Sequence, residues 1–121
     1  MAILPQEIQV WYVLPALRRE LAVTLIKKHR LSQKKVASLL GISEGAVSQY
    51  LSLKRGTSVK FELEVMSMIE QAAAKIKEDD SSAMHELMKL SEHEGVKRIV
   101  CELHIEQDTK ISKNCDICFR S

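Results

Sequence analysis

One stretch, residues 33–52, constrains the fold of this chain more than any other part of the sequence. It reads QKKVASLLGISEGAVSQYLS and places Gly41 between two short segments whose apolar residues recur at helical spacing. Glycine enters the left-handed backbone region without steric cost, so Gly41 permits a tight turn there. Ala37 supplies a small side chain where two helices can touch. The stretch predicts two helices packed across a short turn.

The two predicted helices each have a capping residue, an inward face and an outward face. Ser32 is placed to cap a helix over residues 33–40, and Ser43 to cap a second helix over about residues 43–53. The apolar residues expected to point inward are Val36, Leu40, Ile42, Val47 and Leu51. The polar or small residues expected to point outward are Gln33, Lys34, Ser43, Glu44, Gly45, Ser48 and Gln49.

This pattern resembles the helix-turn-helix of Cro and λ-repressor-like (Xre-type) transcriptional regulators. The resemblance is carried by Gln33, the Val36-Ala37 pair, the turn Gly41 and the inward Val47. The flanking segments EIQVWYVLPALRREL and VSQYLSLKRG are similar to archaeal predicted regulators related to the DNA-binding part of thiamine-phosphate-synthase-like regulators. The resemblance implies a sequence-specific DNA-binding transcriptional regulator.

In such a regulator the second helix lies in the major groove of DNA and its N-terminal part meets base edges. Gln49 can then pair with adenine, Ser48 can bond to several bases, and Gly45 allows close approach. Glu44 has two interpretations of equal weight, acceptance from cytosine or stabilisation of the helix N-terminus. The remaining expected contacts are to phosphates, from Gln33 and Ser43 at helix N-termini and from Lys34, Lys54 and Arg55.

The distribution of charge also favours a nucleic-acid partner for the first half of the chain. Residues 1–60 hold ten lysines and arginines against three acids, whereas residues 61–121 hold eight against thirteen. A basic half joined to an acidic half is typical of a polyanion-binding module attached to a different segment. We therefore expect a DNA-binding domain over residues 1–57 and a helical segment over residues 58–121.

The coarse secondary structure is all-α, because the chain has only four glycines and two prolines in 121 residues. Residues 6–13 form an apolar lead-in, and a helix beginning at Pro15 runs to about His29. Ser58 can cap a helix through Lys77, and two further helices are expected over residues 83–92, stopped by Gly95, and 96–104. The wide apolar face of the longest helix indicates packing on another helix or another subunit. We expect Met66, Ile69, Ala73 and Ile76 at a homodimer interface, and the alternative is that they only cover the core of the module itself.

The cysteines and one histidine suggest a metal centre near the C-terminus. Cys101 and His104, like Cys115 and Cys118, are separated by two residues, and four such ligands suit a tetrahedral zinc site. Three thiolates and one imidazole also suit an iron–sulfur cluster, which would make the chain a redox- or iron-sensing regulator. A reversible disulfide between Cys115 and Cys118, or free thiols, are the remaining alternatives.

Other classes of protein have less support in the sequence. No apolar run reaches the length needed to cross a bilayer, and the N-terminal stretch is not typical of a secretory signal, so a cytoplasmic location is expected. No phosphate-binding loop, nucleophile elbow or paired acid and base is found, so we do not expect an enzyme. A helical hairpin that binds another protein or RNA is the alternative to a DNA-binding module.

Overall fold

The computed structural model describes residues 3–57 and 59–107, and within these residues every regular element is a helix. The predicted all-α class is therefore confirmed at this level. The helices are α1 (Pro5–Ile8), a π-helical turn (Gln9–Val13), α2 (Leu14–Lys27), α3 (Gln33–Leu40), α4 (Glu44–Leu51), α5 (Leu63–Glu78), α6 (Ala83–Glu92) and α7 (Glu94–Gln107).

The predicted helix start at Pro15 is wrong, because helical backbone runs without a break from Pro5 to Lys27. Proline inside an α-helix lacks an N–H donor and clashes with the carbonyl one turn earlier. A π-helical turn precedes Pro15, and the Leu14 N–H donates to the Gln9 carbonyl five residues back. The wider turn lets the chain pass Pro15 without ending the helix.

Helices α3 and α4 begin at the predicted residues, and the turn between them contains Gly41 as predicted. Ser32 Oγ accepts the Lys35 N–H at 3.0 Å, and Ser43 Oγ accepts the Ala46 N–H at 3.0 Å. Both are N-cap bonds that satisfy an amide left without a partner in the first helical turn. Gly41 has φ +67°, in the left-handed region, where a residue without Cβ is unstrained.

Helix α4 ends at Leu51, two residues before the predicted end, in a Schellman motif. The Leu53 N–H donates to the Tyr50 carbonyl, and the Lys54 N–H to the Gln49 carbonyl at 2.9 Å. This motif requires a left-handed residue, which is usually glycine, and here Leu53 takes it with φ +63°. The backbone therefore reverses directly after α4 and begins the segment that holds Lys54 and Arg55.

Helix α5 begins at Leu63, later than predicted, and Ser58 lies outside the described residues. The apolar face of α5 packs against α2. Ile69, Ala73 and Ile76 have no exposed surface and belong to the core of the chain itself. Met66 is partly buried against the same core. The prediction that these residues form a surface for a second subunit is therefore wrong, since a single chain already covers them.

Helix α6 has the predicted bounds, but Gly95 does not stop it. The break falls at His93, whose extended backbone separates α6 from α7. Its ring Nδ1 accepts the Gly95 N–H at 3.1 Å, so His93 caps α7, and Gly95 lies in the first turn of that helix. Helix α7 continues to Gln107, three residues past the predicted end.

The buried residues of the basic and the acidic segments join one hydrophobic core. It includes Leu17 and Leu21 of α2, Val47 of α4 and Ile69 of α5. Within the described residues, two ion pairs cross between the segments, Lys28 with Glu70 and Lys35 with Asp80 at 2.9 Å. The boundary at residue 57 stays a prediction, but the two segments pack as neighbours in one core.

A short turn joins α5 to α6, and it is stabilised locally. Asp79 Oδ1 accepts hydrogen bonds from the Ser81 hydroxyl at 2.7 Å and the Ser81 N–H at 3.0 Å. These bonds lower the pKa of the Asp79 carboxyl, the hydroxyl contributing more than the amide.

None of the helices within residues 3–57 and 59–107 is long and apolar enough to span a membrane.

Candidate nucleic-acid interface

Helix α4 has one buried face and one exposed face, and the predicted site residues lie on the exposed one. Ala46, Val47 and Tyr50 are buried, so this face holds α4 against α2 and α3. The residues that were predicted to contact DNA are all exposed, along α4, at the start of α3 and after α4: Gln33, Lys34, Ser43, Glu44, Gly45, Ser48, Gln49, Lys54 and Arg55.

The exposed face of α4 is a narrow polar strip that extends over about one helical turn along the helix axis. Glu44 and Ser48 are four residues apart, as are Gly45 and Gln49, so each pair stands one above the other. The space outside Gly45 is open, since an added Cβ would meet only the Ser43 hydroxyl, at 3.8 Å. A flat surface at Gly45 beside longer polar side chains allows another molecule to approach the α4 backbone closely.

The N-termini of α3 and α4 are both exposed. Each is capped by an exposed serine, Ser32 or Ser43, and each leaves amides of its first turn without helical partners. The partial positive charge at a helix N-terminus attracts anions, and exposed Gln33 and Lys34 add a polar and a cationic group at α3. The arrangement is chemically suited to two phosphate groups.

The basic residues after α4 are held in place by contacts that sequence reasoning missed. The Arg55 guanidinium lies over the Tyr50 ring at 6.0 Å from its centroid, a cation–π contact. Lys54 is fixed through its backbone by the Schellman motif of α4. Tyr50 falls one turn after the buried Ala46 and Val47, so helical spacing alone could have identified it as an inward residue.

Gly56 fixes the same segment against α2, and its role was also missed. It has φ +75°, and a Cβ at this position would lie 2.7 Å from the Pro15 carbonyl oxygen and 2.8 Å from Arg19 Cβ. The backbone at Gly56 therefore packs directly on α2. The glycine after Lys54-Arg55 was the available signal, but the close approach to Pro15 depends on tertiary packing.

Two neighbouring charges complicate the site. Lys35, the residue after Lys34, pairs with Asp80 at 2.9 Å and so contributes less free positive charge. Glu44 is exposed in the first turn of α4, where a carboxylate favours the helix N-terminus. Its position is equally compatible with acceptance from a cytosine amino group, so both interpretations remain.

Only half of the predicted metal centre lies in the described residues. Cys101 and His104 share one face of α7 and are both buried. The Nε2–H of His104 donates to the Ile3 carbonyl, which leaves the other ring nitrogen for a ligand bond. Cys115 and Cys118 lie outside the described residues, and within those residues no three metal-ligating side chains come together.

No family model, no curated protein and no solved structure matches this chain.

Proposed function

We propose that the chain is a sequence-specific DNA-binding transcriptional regulator that places α4 in the major groove. The observation that carries the proposal is the exposed polar strip of α4, formed by Glu44, Gly45, Ser48 and Gln49. The capped, exposed N-termini of α3 and α4 and the exposed basic pair after α4 support it. An eight-residue helix with one face buried and the other polar suits this groove. The resemblance to Xre-type regulators agrees with this geometry.

The expected contacts separate into positioning and reading. The α3 and α4 N-termini, with Lys34, Lys54 and Arg55, bind phosphates and fix the register of the protein on the duplex. Gln49 reads adenine through its amide, and Ser48 contributes a second, less selective bond. Gly45 leaves room for a thymine methyl or for close approach of the helix.

The test is selection from a pool of DNA duplexes with a randomised central segment. The wild type should enrich one motif. Gln49→Ala should relax the preference at one position and weaken binding of the enriched duplex by about 1 to 3 kcal/mol. The matched control is Gln71→Ala, which removes an exposed glutamine from α5 and should leave motif and affinity unchanged. A pool without enrichment would contradict the proposal and favour a module that binds protein.

A second proposed feature is a metal centre formed by Cys101, His104, Cys115 and Cys118, with zinc as the first choice and an iron–sulfur cluster as the alternative. The buried pair on α7 and the hydrogen bond from His104 to Ile3 are the supporting observations. When bound, zinc would serve as a structural link, whereas a cluster would make DNA binding sensitive to redox state.

Elemental analysis of anaerobically purified protein tests the metal centre. We expect about one equivalent of zinc, or iron with sulfide and visible absorption, and a strong loss in Cys115→Ser. Less than about a tenth of an equivalent of either metal in the wild type would leave the thiol switch or free thiols as the explanation. The DNA-binding proposal does not depend on this result.

A further inference from the structure

The first helical segment, which consists of α1 and the π-helical turn that follows it, exposes a ridge of large apolar side chains. Val10 and Trp11 are 57% and 53% exposed, and both lie in the π-helical turn. Ile8 and Val13 on the other side of the same segment are fully buried, so the ridge stands on an anchored element. Exposed tryptophan on a fixed helix is typical of a contact surface, because tryptophan is enriched among the residues that dominate binding energy.

A groove runs beside this ridge. It has a volume of about 570 Å³ and lies between the first helical segment and the junction of α6 with α7. Leu4 and Val100 contribute apolar side chains to it, and Glu92 and Lys97 contribute one charge of each sign. Gln9 Nε2 donates to the Ser91 carbonyl at 3.3 Å and so ties the two walls together. If two copies of this surface meet, the ridge of each copy can pack into the groove of the other.

The chemistry of this surface fits a second copy of the chain better than another ligand. One acid and one base give the groove no net charge, so DNA is not attracted to it and an identical copy is not repelled. A copy also brings the same Glu92 and Lys97, which makes the charges self-complementary, as a two-fold interface requires. The exposed surface of α3 and α4 that holds Lys34, Lys54 and Arg55 is basic, so two copies of it would repel each other and do not favour a dimer contact there.

We infer that the chain forms a two-fold homodimer in which the ridge of Val10 and Trp11 of one copy packs into the groove lined by Leu4 and Val100 of the other. This inference rests on the proposed function, because a dimer presents two copies of α4 to two half-sites of a palindromic operator. It replaces α5 as the dimerisation element, since the apolar face of α5 is already covered within one chain.

Sedimentation equilibrium over a range of concentrations, without DNA, tests the inference. The wild type should be a dimer that dissociates on dilution, and Trp11→Glu should raise the dissociation constant at least about thirtyfold. Val10→Glu should act in the same direction, which guards against a folding defect specific to one variant. The matched control is Leu63→Glu, on a side chain 88% exposed on α5, which should leave the dimer unchanged.

Trp11 is the only tryptophan in the chain, so its fluorescence reports on this surface directly. Its emission should move to shorter wavelength, and quenching by acrylamide should weaken, as the protein concentration rises through the dissociation constant. A wild type that is monomeric throughout, or a dimer unaffected by Trp11→Glu and Val10→Glu, would overturn the inference. Shielding of Trp11 that does not vary with concentration would also overturn it, and would point to residues 108–121 of the same chain.

The test separates this inference from the proposed function. Gln49→Ala should remain a dimer, because α4 lies outside the ridge and the groove. A dimer of the expected kind that enriches no DNA sequence would support the inference and contradict the proposed function. A monomer that enriches a motif would do the opposite.

Discussion

At the scale of single residues, two glycines in the left-handed region provide a matched pair of substitutions. Gly41→Ala adds a Cβ where no other atom lies within 4 Å, so only the backbone conformation is penalised, by about 1 to 2 kcal/mol. Gly56→Ala adds the same penalty and also forces Cβ against the Pro15 carbonyl and Arg19, which costs about 1 to 3 kcal/mol more.

Urea unfolding followed by circular dichroism measures the difference between the two glycine variants. We expect Gly56→Ala to be the less stable of the two by at least about 1 kcal/mol. Equal midpoints for the two variants would show that the segment after α4 does not pack on α2 as described. Weaker DNA binding is also expected for Gly56→Ala, because the position of Lys54 and Arg55 depends on this contact.

At the scale of helices, the N-cap bond of α3 can be tested inside one helix. Ser32→Ala removes the hydroxyl that accepts the Lys35 N–H, and should lower the free energy of unfolding by about 0.5 to 2 kcal/mol. Ser38→Ala changes an exposed serine in the same helix and should be neutral or slightly stabilising, since alanine is the better helix former. Thermal melts measure both variants. Equal changes in the melting temperature for Ser32→Ala and Ser38→Ala would contradict the N-cap role of Ser32.

The helices that follow local rules were predicted well from the sequence. Caps at Ser32 and Ser43 and the turn at Gly41 depend on residues within a few positions, so α3 and the start of α4 came out correctly. The starts of α1 and α5 did not. A proline at this point in a sequence usually marks the start of a helix, but the π-helical turn before Pro15 lets the helix continue through it. Burial and exposure along α5 depend on its packing against α2, which periodicity cannot supply.

At the scale of the whole molecule, the position of α5 in the core predicts how its apolar residues respond to charge. Ile69→Glu places a carboxylate where the side chain has no exposed surface. Because burial of an unpaired charge strongly destabilises the folded state, we expect this variant to be largely unfolded. Leu63→Glu, on the same helix but exposed, should fold normally. A folded Ile69→Glu monomer by sedimentation and circular dichroism would instead restore the interpretation of α5 as an interface.

The site was easier to predict from the sequence than the assembly around it. The exposed face of α4 follows from helical spacing, and all nine predicted contact residues are exposed. The contacts that support Arg55 and Gly56 come from Tyr50 and Pro15, and the latter is distant in sequence. The exposed Trp11 was missed because an apolar lead-in does not show which of its residues the rest of the fold will cover.

The salt dependence of binding to the enriched duplex tests the DNA-binding role of the α3–α4 face most directly. Phosphate contacts release counterions, so the logarithm of the wild-type association constant should fall linearly with the logarithm of salt concentration. Lys54→Ala should reduce that slope by about one unit, whereas Lys77→Ala, an exposed lysine on α5, should leave it unchanged. Binding that is insensitive to salt, or an equal change for both lysine variants, would contradict the assignment of this face to DNA.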